Sequence, residues 1–341
     1  MFGHLSTVHR VVALAILSML LAACGAGSAE PSATPGPSAE AAAYLDEALD
    51  VIETHFIFID QVDWTSLRAE AVERAADADT IEDTYAALRW VVQELRTPHT
   101  FFVPVGESPP QVQTDPMPTG QRLAGDVGMI RIPYFRPIEA AADEYATVAV
   151  EIIQEVDAQP TCGWVVDLRG NKGGNMWPML AGVSPLLGDG EVGSFVNHTG
   201  VSQSWELRDG QSLRGGEVVS TAPDYELRQP EPPVAVLVDG FTASSGEATM
   251  IAFIGRPDTR SFGESTSGAA TVPQFFEFPD GAGVVLAAAW MADRSGATWD
   301  AEVPPEELVE NFGPLNSRTP LEEDEILLAA LDWLGAEHGC Q

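Results

Sequence analysis

"PPVAVLVDGFTASSGEATMIAFIG", residues 232–255, reads as a strand handed over to a helix. Val234–Val238 is a short, β-branched apolar run closed by Asp239-Gly240, the pattern of a strand buried on both faces. The run from Glu247 is apolar in a way that suits a buried helix, and it stops at Gly255. Two adjacent serines, Ser244 and Ser245, stand at the handover. Ser244-Ser245-Gly246-Glu247 fits the S-x-x-E capping box, which satisfies the orphan amides of a helix start. A serine at such a turn can also expose its hydroxyl beside free backbone amides, the arrangement of a hydrolase nucleophile. The local sequence accommodates both roles.

Working outward, the chain alternates in the same manner from about residue 125. "VGMIRIPYF" is a strand, residues 138–157 form an amphipathic helix, and "GWVVDL" is a second buried strand that ends in the loop "RGNKGGN". "PMLAGVSPLL" is helical, residues 191–230 suggest strands and hairpins, and "QFFEFPDGAGVVLAAAW" is a hairpin around Asp280-Gly281. "EDEILLAALDWL" closes the chain as a helix. Ahead of this, residues 40–103 form a small helical subdomain: Leu45, Leu49, Ile52 and Phe56 share one face, Asp63 caps a second helix bearing Leu67 and Val72, and Thr80-x-x-Asp83 opens a third. Residues 104–124 are a polar, Pro-rich linker, and 125–341 an α/β core domain.

Residues 1–23 have the features of an export signal, with one Arg, then the apolar run "VVALAILSMLLAA", too short for a comfortable membrane span. It ends in "LAAC", which resembles the bacterial lipobox and marks Cys24 for lipidation. Residues 24–39, small, polar and Pro-rich, are a flexible tether. These features predict a lipid-anchored extracytoplasmic protein. Cys162 and Cys340, the other two of three cysteines, can close a disulfide in an oxidising compartment. The net charge of −34 repels phosphate backbones and excludes nucleic acid as a partner. There is no H-E-x-x-H and no Cys/His cluster at ligand spacing, so no metal or cofactor is expected.

A serine needs a base before it can attack a carbonyl. Of six histidines, His4 and His9 belong to the signal, His55 lies in a helix, His198 in a turn and His338 near the end. His99, in the "TPHT" loop where the helical and α/β parts meet, is the candidate base. The glycines of "RGNKGGN" let backbone amides approach a ligand closely, as an oxyanion site requires.

Three segments together carry a resemblance. "VDLRGNKGGN" is similar to the D-L-R-x-N-x-G-G loop of the tail-specific, or C-terminal processing, serine peptidases. "FTASSGEA" resembles their T-A-S-x-x-E nucleophile segment, and "RSFGESTSGAAT" their G-E-x-T-x-G segment. The resemblance implies a Clp protease/crotonase-like ββα spiral core with Ser244 as nucleophile and Ser245, Gly173 and Gly174 as the oxyanion hole. The spacing after His99 leaves no room for the PDZ domain many members carry. The family's base is a Lys after the last glycine, where this chain has Ala269; its only lysine, Lys172, lies in the glycine loop. "LRTPHTFF" resembles the His-bearing segment of the tricorn-like branch, which makes His99 the expected base and Asp300 or Glu302 the expected orienting carboxylate. The implied activity is peptide-bond hydrolysis on peptides or unfolded proteins. Two other functions fit the same residues: an esterase, and a non-catalytic module binding peptides or apolar ligands.

Overall fold

The computed structural model describes residues 36–106, 115–137, 140–310 and 321–340. The signal, Cys24 and most of the tether lie outside the described residues. Three helices lead the chain: α1 (Ala39–His55), α2 (Trp64–Arg74) and α3 (Tyr85–Glu94). Three strands follow: β1 (Phe101–Val103), β2 (Thr119–Arg122) and β3 (Val127–Arg131). Next come α4 (Ala140–Val156), β4 (Gly163–Asp167), α5 (Met176–Gly182) and α6 (Ser184–Leu187). Strands β5 (Gly190–Val196), β6 (Ser202–Arg208), β7 (Gln211–Arg214) and β8 (Glu217–Thr221) lead to the pair of the opening stretch, β9 (Val234–Val238) and α7 (Ser245–Phe253). The remainder is β10 (Thr259–Gly263), β11 (Thr271–Glu277), β12 (Gly283–Ala292), β13 (Thr298–Trp299), β14 (Glu307–Leu308) and α8 (Glu325–His338).

The β-branched run of β9 is buried on both faces because it sits inside a mostly parallel six-stranded sheet of order β14-β10-β9-β4-β3-β2. Val234, Val236 and Val238 join the large core with residues of α4, α5 and α7, such as Tyr145, Leu180 and Ile251. Ala235 and Leu237 point the other way, onto Ile326, Leu327, Ala330 and Leu334 of α8. A disulfide between Cys162, just before β4, and Cys340, just after α8, ties that helix down. A cross-link over so long a loop stabilises a domain by about 2–5 kcal/mol.

The second sheet is antiparallel, with β1-β12-β5-β6-β7-β8 in line and β11 and β13 also on β12. The helical subdomain packs on it. Leu45, Leu49, Ile52, Phe56, Leu88 and Val92 share a core with Val284, Leu286 and Ala287 of β12. Tyr44 and Tyr85 both donate to the Asp280 carboxylate at the β11–β12 turn. Two expectations need adjusting. Val72 is 48% exposed, because Ala71 and Leu67 supply the buried face of α2. The boundaries at 103 and 124 are crossed by pairing: β1 belongs to the antiparallel sheet through β12, and β2, inside the expected linker, pairs with β3. Both short segments find an open sheet edge, which three residues of β1 and the polar sequence of β2 do not announce.

Candidate active site

Ser244 occupies the N-cap of α7 with φ 52° and ψ −114°, a conformation that costs a non-glycine residue about 1–3 kcal/mol. Glu247 holds it there. This fully buried carboxylate accepts the Ser244 N–H at 2.6 Å, the Thr266 hydroxyl at 2.6 Å, the Gly268 N–H at 2.9 Å and the Ala269 N–H at 3.0 Å. Burial pushes its pKa above the ordinary carboxylate value, and the hydrogen bonds pull it back. Both oxygens face donors, so the geometry suits the ionised form. Glu247 therefore does more than close a capping box: it ties the serine turn to segment 266–271. The Ser245 hydroxyl donates to the Gly174 carbonyl at 2.6 Å, which leaves Ser244, half-buried, as the serine free to react.

The glycine loop docks on the same turn. Asn171 accepts the Ala243 N–H at its carbonyl, 2.8 Å, and its side-chain amide donates to the Ile132 carbonyl at 3.0 Å. Asp167 and Asp324 flank a buried Arg169 at 2.8 and 2.7 Å and so fix the end of β4 to the start of α8. Gly173 and Gly174 have φ of 92° and 117°. A Cβ on Gly173 would come within 2.7 Å of the Ser244 Cβ and 3.0 Å of the Ser245 nitrogen, so no larger residue fits between loop and turn. The Gly173 N–H, expected to face an oxyanion, instead donates to Asn171 Oδ1 at 2.9 Å. The Asn171 side chain folds back over its own loop and takes that donor. The N–H groups of Ser245 and Gly174 have no hydrogen-bond partner among the described residues. Ser245 also begins a helix, where the dipole favours negative charge.

His99 enters from the other side, on the loop between α3 and β1. Its Nδ1 lies 3.0 Å from the Thr271 hydroxyl. Burial lowers its pKa below the ordinary histidine value, and the Thr271 backbone opposes that shift weakly. Thr271 ends the segment whose Gly268 and Ala269 amides bind Glu247. One six-residue stretch, Thr266–Thr271, is thus tied to His99 directly and to the Ser244 turn through Glu247. A cleft of about 750 Å³ opens along it, walled by Phe56, Phe58 and Trp90 of the helical subdomain and by Gly268, Thr271 and Asp300.

Asp300 and Glu302 are exposed, and neither bonds to His99. The backbone of their loop runs beside Gly268 and pairs with Thr266 through Val303 at 2.8 Å. This corrects the expectation that one of them orients the imidazole: that contact belongs to Thr271. The sequence held a signal for Thr271, since it lies two residues beyond Ala269, the position from which the family's lysine would project. His198 lies in the β5–β6 turn and His338 at the end of α8. His55 stacks on Phe276 at 4.3 Å as a packing residue.

A strained serine at a strand-to-helix turn, free amides beside it and a half-buried imidazole bonded to Thr271 define a serine hydrolase of the α/β kind. Residues 126–309, over half of the chain, match the model of peptidase family S41, and the chain belongs to that family as a serine-type peptidase. His99 lies outside the matched residues. The chain is 27% identical over 252 residues to the nisin-resistance protein of Lactococcus lactis subsp. lactis, covering 74% of this chain and 78% of that one. Its fold is similar to that of a lipoprotein from Streptococcus agalactiae, with TM-score 0.65, 21% identity, and coverage of 87% of this chain and 97% of that one. It is also similar in fold to the photosystem II D1 C-terminal processing protease, with TM-score 0.59, 16% identity, and coverage of 79% and 93%.

Proposed function

We propose that Ser244 and His99 act as nucleophile and base in a peptidase held outside the membrane by a lipid on Cys24. One observation carries this reading: His99 bonds Thr271, and the Ser244 backbone N–H shares the Glu247 carboxylate with the Gly268 and Ala269 amides, so both are tied to Thr266–Thr271, the segment from which the family's lysine would come and which here has Ala269. With Nδ1–H donated to Thr271, the His99 Nε2 is free to take the Ser244 proton. The alkoxide adds to the substrate carbonyl, and the resulting oxyanion lies between the Ser245 and Gly174 amides. Each such donor is worth about 3 kcal/mol in the transition state. His99 then gives the proton to the departing amine, and water, activated by the same imidazole, releases the acyl group. The Cys162–Cys340 bond supports an oxidising compartment. The lipobox at Cys24 supports the anchor, as does the solved relative described as a lipoprotein. Membership of the peptidase family supports a peptide or protein substrate.

The test is a fluorophosphonate adduct mapped by mass spectrometry, with turnover of a quenched peptide library in parallel. Labelling on Ser244, and loss of both labelling and turnover in Ser244→Ala, is the expected result. Equal turnover by Ser244→Ala would end the proposal. Labelling with turnover of nitrophenyl esters but of no peptide would replace it with an esterase.

A further inference from the structure

The geometry points to Lys172 as a specificity residue that holds a substrate carboxylate beside the scissile bond; this rests on the serine-peptidase reading of Ser244 above. Lys172 is the only lysine in the chain. It directly precedes Gly173, whose missing Cβ is what allows the loop to lie against the Ser244 Cβ. Its side chain is exposed and forms no hydrogen bond or ion pair among the described residues; its one recorded contact is the ammonium 5.9 Å from the centroid of the Phe241 ring. Phe241, three residues before the nucleophile, is itself 66% exposed.

Three physical points turn this placement into a function. A lysine that acts as a base is stripped of water by an apolar pocket, whereas Lys172 stands in solvent, so its role is that of a cation. A cation over an aromatic face is oriented without being neutralised, so the ammonium stays available to a ligand. The chain around it carries a net charge of −34, which repels an anionic peptide over most of its surface. An unpaired ammonium on the loop that packs against the nucleophile turn reverses that bias at one point. The bound group is a carboxylate, supplied either by the free C-terminus of the peptide or by an Asp or Glu side chain close to the cleaved bond. Phe241 adds an apolar platform next to it.

The experiment uses the full chain in detergent and a set of peptides that share one cleaved bond. One arm compares a C-terminal acid with its amide, all side chains being neutral. The other keeps the amide and moves a single Asp, against Asn, along the positions near the bond. The readout is the ratio of kcat/KM for the charged over the neutral peptide, on sites titrated with fluorophosphonate. A ratio of roughly tenfold is expected in one arm, falling as salt is added. It should collapse towards one in Lys172→Gln and survive in Lys172→Arg. The arm that responds identifies the source of the carboxylate. The same peptides are bound to Ser244→Ala by fluorescence anisotropy, so that the preference is read without turnover. A ratio near one in both arms for the unaltered protein, or a preference that persists in Lys172→Gln, overturns the assignment. Failure of labelling and turnover, with the binding preference present, would instead count against Ser244 as nucleophile and leave Lys172 as an anchor.

Discussion

Ser244 and His99 are both tied to Thr266–Thr271, the first through Glu247 and the second through Thr271, and are held in opposite ways. The serine turn is fixed by many short contacts. Glu247 alone accepts four donors around it, Asn171 fixes the neighbouring Ala243, and Gly173 fills the last space. The imidazole hangs on one hydrogen bond to Thr271, at the end of a loop whose position depends on the packing of a helical subdomain. The serine side is thus over-determined locally, while the histidine side is delivered by tertiary structure. A strained φ persists only where surroundings over-determine it, which places the strain on the side that can hold it. The base, by contrast, needs only to be in reach and unprotonated.

The largest expected effect comes from removing the weakly held partner altogether. His99→Gln should lower kcat/KM for a peptide by about 10⁴-fold or more, as loss of a base does in other serine hydrolases, with melting temperature close to that of the unaltered protein. The pH profile sharpens this. Neutral imidazole is the active form, and burial lowers its pKa. Activity should therefore fall on the acid side at a pH below the roughly 6.5 of a free histidine. An acid limb at or above 6.5 would mean that the titrating base is some other group.

On the serine side the same kind of change should act on stability as well as rate. Glu247→Ala leaves three half-buried amides and a buried threonine hydroxyl without their acceptor. Each such group costs about 1–3 kcal/mol, and the relaxed total is on the order of 3–5 kcal/mol in chemical denaturation. Glu247→Gln repairs it only in part, because an amide nitrogen would meet donors at one of the two oxygen sites. If Glu247→Ala loses activity but keeps its stability, the serine turn is not over-determined and the contrast with His99 fails.

This contrast also explains what the sequence reveals. The nucleophile side is legible because its parts are close together in the chain: Val234–Val238, Ser244 and Glu247 lie within fourteen residues, and strand, turn and cap each have their own pattern. The strand-helix alternation that follows from it, the Asp280-Gly281 hairpin and the C-terminal helix are read the same way. The partners of His99 are not so written. Thr271 is 172 residues away, and only its place two residues beyond Ala269 sets it apart. The Asn171 side chain takes the Gly173 amide through a turn within the loop, which a motif of glycines does not specify. The strands β1 and β2 escape notice because an edge position, rather than hydrophobic alternation, makes them strands.

A smaller effect is expected at the single tether of the base. Thr271→Val preserves shape and removes the hydroxyl, so the ring keeps its place but loses its orienting contact. We expect kcat/KM to fall about tenfold, in the range of one hydrogen bond to a group that becomes charged. Thr271→Ser should restore most of it, since serine keeps the hydroxyl. A structural defect would instead lower the melting temperature in both variants. A fall as large as that of His99→Gln would mean that Thr271 touches the reacting atoms, and a fall of less than twofold would leave the imidazole oriented by something else.

The smallest effect should come from the acids once expected to complete a triad. Asp300 and Glu302 are exposed, and the contact they would need, at Nδ1 of His99, is made by Thr271. An exposed charge that makes no direct contact with the imidazole acts through high-dielectric, salt-containing solvent and is worth under about 1 kcal/mol. Asp300→Asn and Glu302→Gln, alone or together, should therefore change kcat/KM less than about threefold at physiological salt and leave the acid limb of the pH profile where it is. The double variant is decisive because a carboxylate that stabilises an imidazolium does so most strongly as the proton arrives. Its loss would lower the rate by orders of magnitude and move the limb towards lower pH. That result would show the loop at 300–302 closing onto His99 when a peptide fills the cleft, and the base would then be held as firmly as the serine, with the asymmetry between the two sides confined to the empty enzyme.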